Sequence, residues 1–205
     1  MTLYGPLKAL KVLNKSRSVD LPLNDSPRKM FLKKKNSKPK FKCSQCGEYH
    51  EEWPALGKKS PWHYHTLPEH KKEQIAYLND DFCEIRWDDQ TDKFIRTVLA
   101  IPVIDFHLNL EYGLWVSVSA KSYEEYNTNF DSMAYESGFF GWICNKINGY
   151  KDTLQIPTDV IVHPGTQRPR LKPHADHQHQ LVLDFYNGIS REEAESRIHE
   201  VIKNA

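Results

Sequence analysis

Cys43 and Cys46 stand with two residues between them in the run Phe41-Lys42-Cys43-Ser44-Gln45-Cys46-Gly47-Glu48-Tyr49-His50. Two thiolates at this spacing, followed by a glycine free to take positive φ, let backbone amides turn back toward both sulfurs, which is the geometry of a zinc knuckle. That is half of a tetrahedral site. The other half would come from Cys83, Cys144 or some of the ten histidines, and no second pair at the same spacing decides among them. A redox role would want the pair at a helix N-terminus after a strand. Gly47 and the flanking Lys40, Lys42, Glu51 and Glu52 suggest a hairpin turn instead. Four cysteines in 205 residues are too few for a disulfide framework, so the thiols are expected to be reduced.

A second cluster runs through His163, Arg168 and Arg170 to His174, Asp176, His177 and His179. Imidazoles and a carboxylate two or three residues apart can converge on one ion, and an open coordination position would then activate water. The order of these residues fits no metallohydrolase signature, and no His-Glu-x-x-His pattern occurs in the chain. The phosphate-cradling glycine loop, the Gly-x-Ser-x-Gly elbow and the dinucleotide fingerprint are missing as well. Arg96 sits centrally in an otherwise apolar strand. A buried guanidinium there requires a carboxylate such as Asp184 or Glu84, and the core ion pair outweighs anion recognition as its role.

The elements that must position these residues follow from hydrophobic periodicity. Leu108, Leu110, Tyr112, Leu114, Val116 and Val118 alternate with smaller or polar neighbours, the pattern of a strand with one buried face. Phe82 to Trp87 and Lys93 to Val103 read as strands around a turn at Asp88, Asp89 and Gln90. Phe139 to Ile147 and Thr153 to His163 read as two more, separated by the Asn148-Gly149 turn signal. Helices are expected over Glu69 to Asn79, over Lys121 to Ser132 with Tyr123, Tyr126 and Phe130 on one face, and after Ser190, where Glu193 completes a capping box. Leu181-Val182-Leu183 is strand-like, and the histidine-rich segment before it is a loop. The fold class is therefore α+β: a mainly antiparallel sheet with a few flanking helices and an N-terminal zinc-knuckle hairpin.

Charge divides the chain. Residues 1 to 42 hold 12 of the 28 basic residues against Asp20 and Asp25 alone, whereas the remainder holds 16 basic and 25 acidic residues. Two regions follow: a basic N-terminal extension or linker over residues 1–40, and a single α+β domain over 41–205. Leu3, Leu7, Leu10 and Leu13 would allow a short docking helix in the extension. Residues 28–42 could grip phosphates through counterion release, although a solvated linker is the favoured reading because no base-reading element follows. No apolar run approaches the roughly 20 residues that span a bilayer, and the start lacks a secretion signal, so a cytoplasmic protein without membrane contact is expected.

The motifs taken together resemble a bacterial family, domain of unknown function 2199. The resemblance is carried by the knuckle run, Asp81-Phe82-Cys83, Phe94-Ile95-Arg96, Ile101-Pro102-Val103, Gly113 to Ser119, Phe140-Gly141-Trp142, Arg168-Pro169 and Gly188-Ile189-Ser190, in that order over roughly residues 41 to 200. It implies no activity, substrate or partner. It does favour Cys83 over Cys144 as a third ligand, with His50 ahead of His179 as the fourth, and it covers Arg96, Trp115, Arg168 and His179, which together with Asp184, a possible partner of Arg96, are the further candidate functional residues. His179-Gln180-Leu181 departs from the family's His-Pro-Leu at Gln180.

A closed four-ligand zinc site stabilises a fold and leaves no position for chemistry. The sequence therefore points to a non-enzymatic, zinc-stabilised protein that binds another protein through exposed aromatic residues, in the manner of an immunity or adaptor protein. The alternatives are a metal-dependent hydrolase using the His174 to His179 segment, and nucleic-acid binding through residues 28–42.

Overall fold

A computed structural model of the chain describes residues 41–42, 47–50, 53–165 and 167–203. The basic extension, its leucine repeat, Cys43 and Cys46 lie outside the described residues. Two short strands, β1 (Phe41–Lys42) and β2 (Tyr49–His50), pair antiparallel with Phe41 opposite His50. Gly47, between them, takes φ +75°. Strand β3 (Leu56–Gly57) follows, then helices α1 (Trp62–His65) and α2 (Glu69–Ile75), each entered through a proline whose fixed φ suits the position before a first turn. Helix α2 stops short of Asn79. Ala76, Tyr77 and Leu78 instead form β4 (Ala76–Leu78), captured by backbone pairing with β5 (Phe82–Arg86).

Next come β6 (Thr91–Ile101), β7 (Leu110–Val118), α3 (Ala120–Thr128), β8 (Ser137–Ile143), β9 (Pro157–Val162) and β10 (Arg170–Pro173). The C-terminal part is α4 (Gln180–Asn187) and α5 (Arg191–Lys203). Leu181-Val182-Leu183 is thus helical, and the first strand-like signal after Thr166 is β10. Ser190 Oγ accepts from the Glu193 amide at 3.2 Å, so the capping box forms on its N-cap side.

Eight strands form one sheet, ordered β3-β7-β8-β9-β10-β6-β5-β4, and β6 also pairs with β7. That extra pairing closes β6, β7, β8, β9 and β10 into a five-stranded barrel. Every pairing in the sheet is antiparallel except β3 with β7 and β10 with β6. Strand β6 is long enough to change neighbours along one edge: Thr91 to Ile95 pair with β5, and Val98 pairs with Arg170 of β10. The expected alternation along β7 puts Leu110, Tyr112, Leu114 and Val116 in the main core with Ile95, Leu99 and Ile101. Helix α3, which ends at Thr128 and not at Ser132, closes over this core with the turn that follows it: Tyr123 of the helix and Phe130 of the turn lie 5.5 and 5.1 Å from the Phe82 ring.

The other face of β7 is not polar. Trp115 is fully buried in a second, smaller cluster with Cys83, Ile85, Phe94 and Cys144, covered by Tyr64, Leu67 and Ile75 from α1 and α2 and the turn between them. The proline-rich segment 54–68 is therefore a packed layer against the outside of the barrel.

Candidate functional site

The segment between β3 and α1 has no regular structure, yet four hydrogen bonds fix it. Lys58 N–H donates to the Gly113 carbonyl at 2.9 Å, and the Lys58 carbonyl accepts from Trp115 Nε1 at 3.1 Å. Asn145 Nδ2 donates to the Ser60 carbonyl at 2.8 Å, and Trp62 N–H donates to the Cys144 carbonyl at 2.7 Å. Asn145, itself buried, also accepts from the Trp115 amide at 2.7 Å. Trp115 is thus the post to which this segment is tied. Its buried indole nitrogen needs a partner, and the backbone of Lys58 is that partner.

Arg96 finds neither Asp184 nor Glu84. Its guanidinium lies over the paired glycines Gly57 and Gly113, where an added Cβ at Gly57 would stand 3.3 Å from Nη2. Nη1 donates to the Asp80 carbonyl at 3.2 Å, and Nε is buried without a hydrogen-bond partner. Burial, followed by the Arg168 charge nearby, holds the Arg96 pKa below its ordinary value. Glu84 is taken by Arg86 and Lys93. Arg168 pairs with Asp81 at 2.6 Å and so fastens the chain entering β10 to the turn before β5. Asp81 and Arg168 line a cavity of about 410 Å³ with Tyr126 and Arg170, but Arg170 is also neutralised, by Glu111 at 2.7 Å.

Asp184 belongs to a different network, between α4 and α5. Its Oδ2 accepts from the Tyr150 hydroxyl at 2.7 Å and from Arg197 at 3.3 Å, and its Oδ1 accepts from Gln180 at 2.6 Å. Arg197 also reaches Glu193 at 2.7 Å and covers the Tyr150 ring at 4.3 Å. Its Nη1 and the Tyr112 hydroxyl are both buried and lack a hydrogen bond of good geometry. Burial, and then the Asp184 carboxylate, push the Tyr150 phenol up.

His179 caps α4. Its Nδ1 accepts from the Leu181 amide at 3.0 Å, which leaves Nε2 carrying the proton toward the Lys151 carbonyl. Both ring nitrogens are therefore committed to the backbone. His174 turns the other way, to Asp159 on β9 at 3.1 Å, and His177 stacks on His179 at 6.4 Å. Among the described residues no three His, Cys, Asp or Glu side chains are grouped so as to hold a metal ion.

Cys83 lies on β5 in the second core, near Cys144 and without a disulfide. Burial, with Glu84 and Cys144 adding to it, pushes the Cys83 thiol up to about 12, and burial pushes Cys144 up to about 11. Cys144 donates to the Trp142 carbonyl at 3.3 Å, as a neutral thiol does. At 0% exposure, Cys83 is enclosed by Ile85, Phe94, Trp115 and Cys144. The strand pair that brackets Cys43 and Cys46 is anchored where Arg191 of α5 donates to the Lys42 carbonyl.

An aromatic patch completes the surface. Phe140 and Trp142 project from β8 with 44% and 43% of their surface exposed. They meet edge to face at 4.9 Å, and His174 packs at 5.5 Å on Phe140. Trp142 also borders a recess of about 270 Å³ reaching His63, Asp92 and Gln155. The family resemblance marks Phe140-Gly141-Trp142 as a motif, but only the barrel shows why. A Cβ at Gly141 would stand 3.1 Å from the Ser117 carbonyl, so the glycine sits against β7 while both aromatics face outward.

No described helix is long and apolar enough to cross a membrane. The family model of an uncharacterized protein conserved in bacteria, domain of unknown function 2199, matches residues 42–189. No curated protein and no solved structure matches the chain.

Proposed function

The chain belongs to this bacterial family, and from that premise we propose that it is a protein-binding module whose contact surface is centred on Phe140 and Trp142. The observation that carries the reading is the exposed pair itself. Two large aromatic side chains half open to solvent on a rigid barrel strand, beside a recess, have the composition and pre-organisation of interface anchors. The barrel supplies the rigidity because β8 is paired along both edges. An adaptor or immunity role, in which a small folded body occupies a partner's surface, suits a site of this kind.

The test is to place a photo-crosslinking residue at Trp142, and as a control at the exposed Trp87, in the native cell. A protein crosslinked at Trp142 and not at Trp87 is expected. Its affinity for the purified chain should fall by about thirtyfold or more in Phe140→Ser/Trp142→Ser, with melting unchanged, since each interface anchor typically contributes about 2 kcal/mol. Equal affinity of the double variant would sink the proposal.

The hairpin formed by β1 and β2 is proposed to hold a structural zinc ion with Cys43, Cys46 and His50 as three of its four ligands. Support comes from the pairing of the strands that bracket the cysteines and from the positive φ of Gly47. In this reading the four thiols fall into two classes. Cys83 and Cys144 should resist alkylation until the protein unfolds, whereas Cys43 and Cys46 should resist only until a chelator is added. Peptide mass spectrometry and elemental analysis check both. Immediate alkylation of Cys43 and Cys46 in protein containing no zinc would end the metal proposal.

A further inference from the structure

Beside the anchored segment that follows β3 lies a cavity of about 590 Å³. Lys58, Lys59, Lys146 and His65 face it, together with Trp62 and Asn148, and no carboxylate is among its lining residues. Two other cations shielded from solvent are neutralised. Lys93 has Glu84 and Glu124, and Arg197 has Asp184 and Glu193. Lys58 is half-buried, and its ammonium reaches only the side-chain oxygen of Asn148, at 3.2 Å. Burial lowers its pKa from the ordinary value with no anion to oppose the shift. Lys146 places its ammonium 4.0 Å over the Trp62 ring. Charged groups collected without a counter-charge raise the energy of the empty cavity, and a bound anion relieves it.

We propose that this cavity is a binding site for a small phosphorylated molecule, with the phosphate held by Lys58, Lys59 and Lys146. A phosphomonoester carries close to two negative charges at neutral pH, which three lysines lining one cavity match better than they match a single carboxylate. Lysine binds phosphate as a point charge, so the flexible Lys59 and Lys146 can close on it. Lys58 is held differently. Its backbone is clamped by Gly113 on one side and by Trp115 on the other, so the ammonium is delivered to the cavity with little further ordering needed. The volume exceeds what a phosphate ion fills, and the Trp62 indole offers an apolar wall to the organic portion of an ester. This site is separate from the Phe140–Trp142 patch, and neither proposal depends on the other.

The experiment is an amide and indole NMR titration of the full chain with inorganic phosphate, pyrophosphate, ribose 5-phosphate and adenosine monophosphate, and in a separate arm with a short single-stranded oligonucleotide. Saturable shifts confined to Gly57–Trp62, the Trp62 indole and Asn145–Asn148 are expected, with an ester bound more tightly than inorganic phosphate. Lys58→Gln and Lys146→Gln should each weaken ester binding by about tenfold, with melting and the remaining spectrum unchanged, while Lys121→Gln on α3 should not. Absence of shifts at these residues in the unaltered protein would overturn the proposal without reliance on any variant. So would ester affinity unaltered by both substitutions. Tighter binding of the oligonucleotide, with shifts spreading beyond the cavity, would overturn it in favour of a nucleic-acid surface.

Discussion

Asp184→Ala is expected to lower the free energy of unfolding by about 3–5 kcal/mol, the usual consequence of removing one partner from a buried ion pair. Asp184 is 8% exposed, and each of its oxygens is occupied by a donor. Without it, Tyr150 and Gln180 lose an acceptor, and Arg197 keeps Glu193 as its one charged partner among the described residues while its Nη1 is already without a bond. The loss should be read as a shift in the urea midpoint at unchanged slope. A double variant, Asp184→Leu with Arg197→Met, should recover much of it, because no charge is then left stranded. A single-variant loss below about 1 kcal/mol would mean that desolvation of the pair nearly cancels its attraction, and that the network does not hold α4 and α5 together.

Trp115→Ala should be comparably damaging, about 3–5 kcal/mol, since it empties the largest fully buried side chain of the second core. The more informative substitution is Trp115→Phe. Most of the apolar volume remains, but the Lys58 carbonyl loses its donor at a cost of about 1 kcal/mol. The effect should concentrate on the segment joining β3 to α1. Amide exchange at Lys58 and Trp62 should accelerate relative to β7, and ester binding at the lysine cavity should weaken although no lysine has changed. Uniform acceleration across the barrel would show that the indole matters only as core volume.

The sequence made much of this legible where one physical signal dominated. The alternation along β7 and the aromatic face of α3 are both readable because each turns one face to the main core, but the burial of Trp115 on the other face of β7 is not part of that pattern. Where tertiary pairing competed with local preference, the sequence misled. Ala76 to Leu78 continue a helical pattern, yet β5 offers them a full ladder. Leu181 to Leu183 form a three-residue apolar run with no period of its own, and the residue that starts their helix is His179, which is not among the usual capping residues. The lysine cavity gave no signal, since Lys58 and Lys146 come together only because Asn145 is bonded to Ser60 and to Trp115. Arg96 was correctly singled out as unusual, but its partners are a carbonyl and two glycines, which no count of carboxylates could supply.

The barrel seam has a consequence for synthesis. Strand β10 joins β6 at Val98 and Arg170, and Val98 N–H donates to the Pro169 carbonyl at 2.9 Å, so the ring closes through residues far apart in the chain. As the polypeptide leaves the ribosome, β6 and β7 can pair early as neighbouring antiparallel strands, but the C-terminal half of β6 keeps an open edge until residue 170 has emerged. An unpaired edge beside Leu99 and Ile101 is a template for pairing with another nascent chain. A nascent chain in which β9 has emerged and β10 has not therefore displays this open edge, and the arrival of one four-residue strand joins it at Val98.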